Sequence, residues 1–176
     1  ITEDAFTDLA PATLAVAERT RPEGSILVRI FKEESELEVW RQGADGRYAL
    51  HKTHPMCRWS GRLGPKTADG DRQAPEGFYQ VTETLMNPNS KYHRSFNLGY
   101  PNQLERALGY TGDSLMVHGA CSSAGCFAMT DNGVAEVYAE AQRAFRIGQS
   151  DFQVQSFPFR MTAAQMAKHQ GDPNIE

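Results

Sequence analysis

Short apolar runs separated by polar, turn-forming stretches characterise the chain between residues 25 and 57. Three of these runs are rich in valine, isoleucine, tryptophan and tyrosine: SILVRIF (25–31), LEVWRQ (37–42) and RYALHKTHPMC (47–57). The apolar runs are typical of strands, and the stretches KEES and GADG between them are typical of turns. The pattern therefore predicts an antiparallel meander of three strands.

Further strands are predicted beyond a long irregular loop at residues 58–77 (RWSGRLGPKTADGDRQAPEG). Glycine, proline and charged residues disfavour regular structure there, and loops of this length are often functional. The strand-like runs that follow are FYQVT (78–82), SFNLGY (95–100), SLMVH (114–118) and FQVQSFPFR (152–160). The polar segment MNPNSKYHR (86–94) contains a proline, which predicts irregular structure between two of these strands.

Three segments have the features of helices. Residues 11–20 (PATLAVAERT) begin with proline and are rich in helix formers, which predicts a short surface helix. In residues 131–148 the apolar side chains recur with the 3.6-residue period of an amphipathic helix, which Thr130 or Asp131 can cap. A last helix is predicted over 161–169, where a threonine and a glutamine have capping-box spacing.

The order of these elements predicts a mainly-β sheet or barrel with peripheral α-helices, because strands dominate the first two thirds and no βαβ alternation is present. A chain of 176 residues is long enough to form one core, and its length disfavours two full domains. We therefore expect a single domain at residues 25–170, an N-terminal helical extension at 1–24 and a C-terminal tail at 171–176.

The net charge and the hydropathy of the sequence argue against some classes of binding partner and against a transmembrane segment. The net charge of −4 argues against nucleic acid or an anionic membrane as the main partner, since both require a clustered positive field. No run of 18 apolar residues is present, so we expect no transmembrane segment, and no charged-then-apolar leader begins at Ile1. The expectation is a soluble chain as given.

The three cysteines, Cys57, Cys121 and Cys126, are an odd number, which excludes a complete disulfide framework and leaves at least one free thiol in a monomer. Two of them lie in the segment SLMVHGACSSAGCFAMTD (114–131) with His118. A structural zinc site requires four ligands, and the four-residue spacing between these cysteines is wider than in zinc or redox motifs. The segment therefore favours a thiol nucleophile and its base over a metal or redox site.

His118 ends an apolar run and is followed by Gly119, while Gly125 precedes Cys126 at a predicted tight turn. A cysteine attacks as the thiolate, so its pKa should be lowered by an imidazolium or by backbone dipoles. The amides of Ala124, Gly125 and Cys126 are candidate oxyanion donors if the turn is tight. The other imidazole nitrogen requires an acceptor, which could be a main-chain carbonyl near Gly119.

These residues resemble the active-site signature of the L,D-transpeptidase catalytic domain (YkuD-type), in which a His-Gly pair precedes a Ser-x-Gly-Cys element. Here the pair is His118-Gly119, and the element is Ser123 to Cys126. APEGFYQV is similar to the family's Pro-x-Gly-x-Phe strand, and HPMCRWSG looks like the strand that ends in Ser/Thr-Gly in relatives. The letters LGPK, NPNSKYHRSFNLGYPN and FPFRMT look like the YafK-like branch of murein L,D-transpeptidases, which includes an amidase that detaches proteins from peptidoglycan.

The resemblance implies a mixed sheet or barrel, a periplasmic setting, no cofactor or metal, and a cysteine acyl-enzyme acting on peptidoglycan stems that contain meso-diaminopimelate. Cys126 would be the nucleophile and His118 the base, with Gly119, Ala124 and Gly125 as oxyanion or orienting backbone. Many relatives carry a second histidine where this chain has Ala124. Only seven residues separate His118 from Cys126, which leaves a shorter loop than in many cross-linking relatives.

We therefore expect hydrolysis of the amide that links a protein to peptidoglycan. Alternatives are transpeptidation, which forms cross-links or attaches proteins, and a peptidoglycan-binding module without catalysis. Intact His118 and Cys126 argue against the last, because a binding module has no need of a thiol.

Candidate substrate contacts are Ser123 in the active-site segment, Tyr92 and Arg94 in the polar loop, and Arg106. His93 is the rival base, and the remaining histidines are expected at the surface. In an oxidising compartment a disulfide between Cys57 and Cys121 would hold the active-site loop; the alternative is two buried free thiols.

Overall fold

The computed structural model describes residues 21–175, so the helix predicted at residues 11–20 lies outside the described residues. The strands are β1 (Ile26–Phe31), β2 (Glu36–Gln42), β3 (Tyr48–Trp59), β4 (Gly77–Thr82), β5 (Met86–Asn87), β6 (Ser95–Asn97), β7 (Met116–His118), β8 (Phe127–Met129) and β9 (Asp151–Phe157). The α-helices are α1 (Gln103–Ala107), α2 (Asp131–Arg146) and α3 (Ala163–Lys168), and Glu83–Leu85 forms one 3₁₀ turn.

The nine strands within residues 21–175 belong to one sheet, in the order β4-β9-β1-β2-β3-β8-β7-β6-β5. The meander of β1, β2 and β3 is antiparallel, which confirms that prediction. Two pairs are parallel, β1 with β9 and β7 with β8, so the sheet is mixed. The prediction of a mainly-β mixed sheet with peripheral helices is therefore confirmed.

The sheet curls until its two flanks face each other. Phe96 on β6 and Phe152 on β9 are six positions apart in the strand order, yet their rings pack edge to face with centroids 5.7 Å apart. Helix α2 contacts β1, β6 and β7, which belong to both halves of the sheet. Its buried side chains, including Val134 and Val137, recur with helical period and complete the core. The result is a nearly closed sheet with β7 and β8 close to its middle.

Three short elements were not predicted from the sequence. Strands β5 and β8 contain two and three residues, too few for an alternating pattern to be recognised. Helix α1 has five residues, and its capping box joins Asn102 and Glu105. The strand predicted at 95–100 is limited to residues 95–97, because Gly99 has a φ of +75°.

The predicted loop at 58–77 is irregular between Ser60 and Glu76, which is close to the expectation. Its backbone is held by the fully buried Lys32, whose Nζ donates to the carbonyls of Gly64 and Ala74 and pairs with Glu76 at 2.8 Å. A buried ammonium is costly unless paired and hydrogen-bonded, and here three acceptors surround it. The loop is thus fixed to Lys32, the residue that directly follows β1.

Within residues 21–175, no helix is long and apolar enough to cross a bilayer.

Candidate active site

His118 is the last residue of β7, and only 2% of its surface is exposed. Its Nδ1 lies 2.7 Å from the carbonyl oxygen of Gly119, so Nδ1 carries the hydrogen and Nε2 keeps its lone pair. The ring of Tyr92 stacks on the imidazole with centroids 4.5 Å apart. Burial lowers the pKa of His118, although the bond to the Gly119 carbonyl partly opposes this effect. The imidazole is therefore a fixed, neutral base at neutral pH.

Cys126 is the free thiol among the described cysteines and directly precedes β8. Its Sγ accepts the amide N–H of Met116 at 3.4 Å and donates to the carbonyl of Ser114 at 3.7 Å. Burial raises the pKa of the thiol, while the Met116 amide and the charge of Lys66 lower it only in part. The expectation of a pKa lowered by an imidazolium is wrong for this structure, since the imidazole itself is kept neutral.

The parallel pairing of β7 and β8 brings the two residues together. His118 is paired with Ala128, which lies two residues beyond Cys126 on the neighbouring strand. Strand spacing and rise then give a separation of about 8 Å between the Cα atoms of His118 and Cys126. Cys126 precedes the first residue of β8, so the register places its backbone near His118 without fixing the direction of its side chain. In residues 21–175 Cys126 Sγ bonds to Met116 and Ser114 and not to His118 Nε2, so proton transfer between the two side chains belongs to the proposed function.

The loop between His118 and Cys126 is tied to the end of β3 at two places. Cys121 forms a disulfide with Cys57, and their Cα atoms are 5.1 Å apart, so the hypothesis of this bridge is confirmed. Ser60, directly after β3, accepts the amide N–H of Gly125 at 2.7 Å and donates to Ser123 Oγ at 3.1 Å. The loop is therefore held covalently near its start and by hydroxyl groups near the thiol.

The predicted oxyanion donors are only partly available. The amide of Gly125 donates to Ser60, and that of Cys126 donates to Ser123 Oγ at 2.9 Å. Ala124 is exposed, and its amide donates to no protein atom within residues 21–175. Of the three predicted donors, Ala124 is thus the one with a free N–H in this structure. The role of Gly125 is instead conformational, since its φ of +126° is strained for any residue with a Cβ.

Gly119 lies where the surrounding atoms leave no room for a side chain. A Cβ at this position would lie 2.7 Å from both Asp131 Oδ1 and the carbonyl oxygen of Tyr92. The Gly119 amide donates to the carbonyls of Tyr92 and Arg94, at 3.0 and 3.2 Å. The missing side chain therefore allows close packing behind the imidazole, while the Gly119 carbonyl orients His118.

Lys66 was not predicted as a site residue, although it lies in the quoted motif LGPK. It is 4% exposed, and its Nζ contacts Asp71 Oδ1 at 2.6 Å and the Ala68 carbonyl at 2.7 Å. Burial opposes ionisation of Asp71, but Lys66 and three backbone amides outweigh it and lower the pKa to about 2. This pair places a fixed ammonium in the electrostatic environment of the thiol. The sequence around Lys66 does not indicate that it is buried, because lysines in irregular loops are usually exposed.

Of the four candidate substrate-contact residues, two lie beside His118 and Cys126. Tyr92 stacks on His118, and Ser123 lies in the loop between His118 and Cys126. The guanidinium of Arg94 lies 5.3 Å from the ring centroid of Tyr138 on α2 and donates to the Pro88 carbonyl. Arg106 is exposed on α1 and donates to the Pro101 carbonyl. Substrate contact by the two arginines stays a prediction.

The other histidines differ in exposure. His93 is exposed in the polar loop and has a φ of +72°, and His51 is exposed on β3. The expectation that His54 and His169 lie at the surface is wrong for His54, which is 5% exposed and faces Glu136. His169 is largely covered, because it stacks on Phe159 and bonds to Glu33. In residues 21–175 no group of three or more His, Cys, Asp or Glu is arranged to hold a metal ion.

Comparison with protein families matches residues 25–150 to the YkuD model, described as an L,D-transpeptidase catalytic domain. The chain is 42% identical over 144 residues to "Putative L,D-transpeptidase YafK" of Escherichia coli K12, and equally similar to the protein of that name from strain O157:H7. These matches cover 82% of the chain and 58% of each relative. The chain therefore spans less than two thirds of the curated relatives that it matches.

Two solved proteins share the fold. The helical cell shape determining protein Pgp2 of Campylobacter jejuni matches with a TM-score of 0.59 and 22% identity, covering 81% of this chain and 53% of Pgp2. Bd1075 of Bdellovibrio bacteriovorus matches with a TM-score of 0.52 and 15% identity, covering 85% of this chain and 54% of Bd1075. At these identities the similarity concerns the fold.

Proposed function

Because the chain belongs to the L,D-transpeptidase catalytic domain family, we propose that it is a periplasmic cysteine acyl-enzyme that acts on meso-diaminopimelate in peptidoglycan stems. The observation that carries the proposal is the free thiol of Cys126 directly before β8, the strand that pairs with the strand of His118. One nitrogen of the imidazole is held by the Gly119 carbonyl, and the other has no hydrogen-bond partner in residues 21–175. The proposed reaction is hydrolysis of the amide between diaminopimelate and a linked protein.

In the first step, the Cys126 sulfur attacks the diaminopimelate carbonyl as His118 Nε2 takes the thiol proton. Transfer during attack suits this site, because burial favours the uncharged forms of both groups. The oxyanion forms beside the loop between His118 and Cys126, where the Ala124 amide is available to donate a hydrogen bond to it. As the tetrahedral intermediate collapses, His118 returns the proton to the leaving amine, and a thioester remains on Cys126.

In the second step, His118 takes a proton from water, and the water oxygen attacks the thioester carbonyl. The C–S bond then breaks, the proton on His118 returns to the Cys126 sulfur, and the stem leaves as a carboxylic acid that loses its remaining proton to solvent. An amine in place of water would give transpeptidation by the same steps. Hydrolysis is favoured by the resemblance to the branch that includes a protein-releasing amidase. The loop, which is shorter than in many cross-linking relatives, and Ala124, where relatives often have histidine, also support hydrolysis.

The periplasmic location has independent physical support in the bond between Cys57 and Cys121. Disulfides persist in oxidising compartments such as the periplasm and are rare where thiols are kept reduced. Both cysteines are exposed, so burial would not protect the bond from cellular reductants.

The proposal is tested by incubating the protein with protein-linked and with unlinked sacculi and identifying the products by mass. Release of a protein with a free amine, together with stems ending in a diaminopimelate carboxylate, is expected. Stems joined through two diaminopimelates would show transpeptidation instead. Binding to sacculi without any product would favour the non-catalytic module.

A further inference from the structure

Two serine hydroxyl groups form hydrogen bonds with the backbone at Gly125 and Cys126. Ser60 Oγ accepts the amide of Gly125 and donates to Ser123 Oγ. Ser123 Oγ in turn accepts the amide of Cys126 and donates to the Cys126 carbonyl at 2.6 Å. Each hydroxyl uses its single hydrogen once, so the network is fully satisfied. Ser60 belongs to a different part of the chain, 65 residues before Gly125.

Ser60 is itself rigidly placed. Its carbonyl accepts the amide of Ala74 at 2.8 Å, which joins it to the far end of the long loop. Gly61 follows with a φ of +89°, and a Cβ there would lie 2.1 Å from Gln73 Oε1. The Gln73 side chain also bonds both backbone groups of Arg62. The Gln73 side chain thus packs into the turn formed by Ser60 and Gly61 after β3. These contacts hold the backbone of the turn and so the direction of the Ser60 side chain.

Ser60 bonds to Gly125, and a change in the backbone conformation of Gly125 would move the Cys126 thiol. Gly125 lacks a Cβ and has a φ of +126°, so its own conformational preference does not fix the peptide before Cys126. Regular pairing with β3 and β7 begins only at Phe127. Cys126 therefore lies between a flexible glycine and the first paired residue, and the bond to Ser60 restrains the glycine side.

We propose that Ser60 is a positioning residue for the nucleophile, which acts by holding the Gly125 amide and thereby aiming the Cys126 sulfur at the scissile carbonyl. This inference rests on the proposed function for its kinetic consequences. The restraint of Gly125 itself does not depend on turnover. A misplacement of about 1 Å can reduce the rate about 100-fold, and loss of one hydrogen bond typically changes an equilibrium about tenfold.

The first test uses the unaltered protein and amide hydrogen exchange measured by NMR. The amides of Gly125 and Cys126 should exchange at least tenfold more slowly than the exposed, unpartnered amide of Ala124, after correction for intrinsic rates. Equal corrected rates for Gly125 and Ala124 would overturn the proposal. This arm requires neither a variant nor activity, so it separates failure of this inference from failure of the proposed function.

The second test compares Ser60→Ala with Ser60→Thr, which keeps the hydroxyl group. Ser25→Ala is the matched control, since it removes a side-chain bond to a carbonyl before β1, three strands from β8 in the sheet order. We expect Ser60→Ala to lower kcat on protein-linked peptidoglycan about 10- to 100-fold, with KM within about twofold and faster exchange at Gly125. Threonine should restore most of kcat. Wild-type kcat in Ser60→Ala, or equal losses in the alanine and threonine variants, would refute the role of the hydroxyl group.

Discussion

Removal of the disulfide between Cys57 and Cys121 should destabilise the fold by an amount that can be worked out from its loop. The bridge closes a segment with a sequence separation of 64 residues. The chain-entropy relation gives about 4 kcal/mol for a loop of this size at 25 °C. Both cysteines are exposed, so serine replacements leave no buried cavity, and the constraint on the unfolded chain dominates the change.

The assay is the free energy of unfolding of the Cys57→Ser/Cys121→Ser double variant, from urea titration followed by circular dichroism. The double variant avoids a single unpaired thiol that could exchange with Cys126. For a chain of this size, the expected loss lowers Tm by about 8 to 16 °C. Wild-type protein with a fully reduced bridge should match the variant. An unchanged midpoint, or three free thiols in unfolded, unreduced wild-type protein, would refute the reasoning.

Three further predictions concern the site. Gly119→Ala should reduce the free energy of unfolding by about 1 to 3 kcal/mol and impair turnover, because its Cβ meets two oxygen atoms at 2.7 Å; an unchanged urea midpoint would contradict this. The acid limb of the kcat/KM profile should have its midpoint below pH 6.5, because activity requires neutral His118 and burial lowers its pKa; a midpoint above 6.5 would refute the assignment. Asp71 has a folded pKa of about 2, below its ordinary 3.8, so its contribution to stability is present above pH 3.8 and is lost as the pH falls towards 2. Asp71→Asn should flatten that part of the stability curve measured by urea titration, and a parallel curve would exclude the contribution.

The sequence predicted most of the long elements, because their patterns are set locally. The strands of the meander and helix α2 have enough residues for alternation or helical period to be recognised. Strand β8 could not be found in this way, since its three residues are defined by pairing with β3 and β7. The parallel pairing of β7 and β8, which brings His118 next to Cys126, is likewise a property of the whole sheet.

For the site as well, features set by neighbouring residues were predictable, and features set by contacts between distant residues were not. Cys126, His118 and the turn at Gly125 were recognised from adjacent letters, and the bridge between Cys57 and Cys121 from their positions in predicted elements. The thiol and imidazole pKa directions were not predictable, because they depend on burial produced by the folded sheet. The bond from Ser60 to Gly125 joins residues 65 positions apart and carries no local signal.

The central claim is that Cys126 forms an acyl-enzyme with the diaminopimelate carbonyl, and hydroxylamine trapping tests it most directly. Protein-linked peptidoglycan is treated with the enzyme in hydroxylamine at concentrations that compete with water, and the released stems are analysed by mass. The account predicts stems ending in both hydroxamate and carboxylate, with neither product from Cys126→Ala. Protein release that yields carboxylate alone at every hydroxylamine concentration, or release by Cys126→Ala, would contradict it.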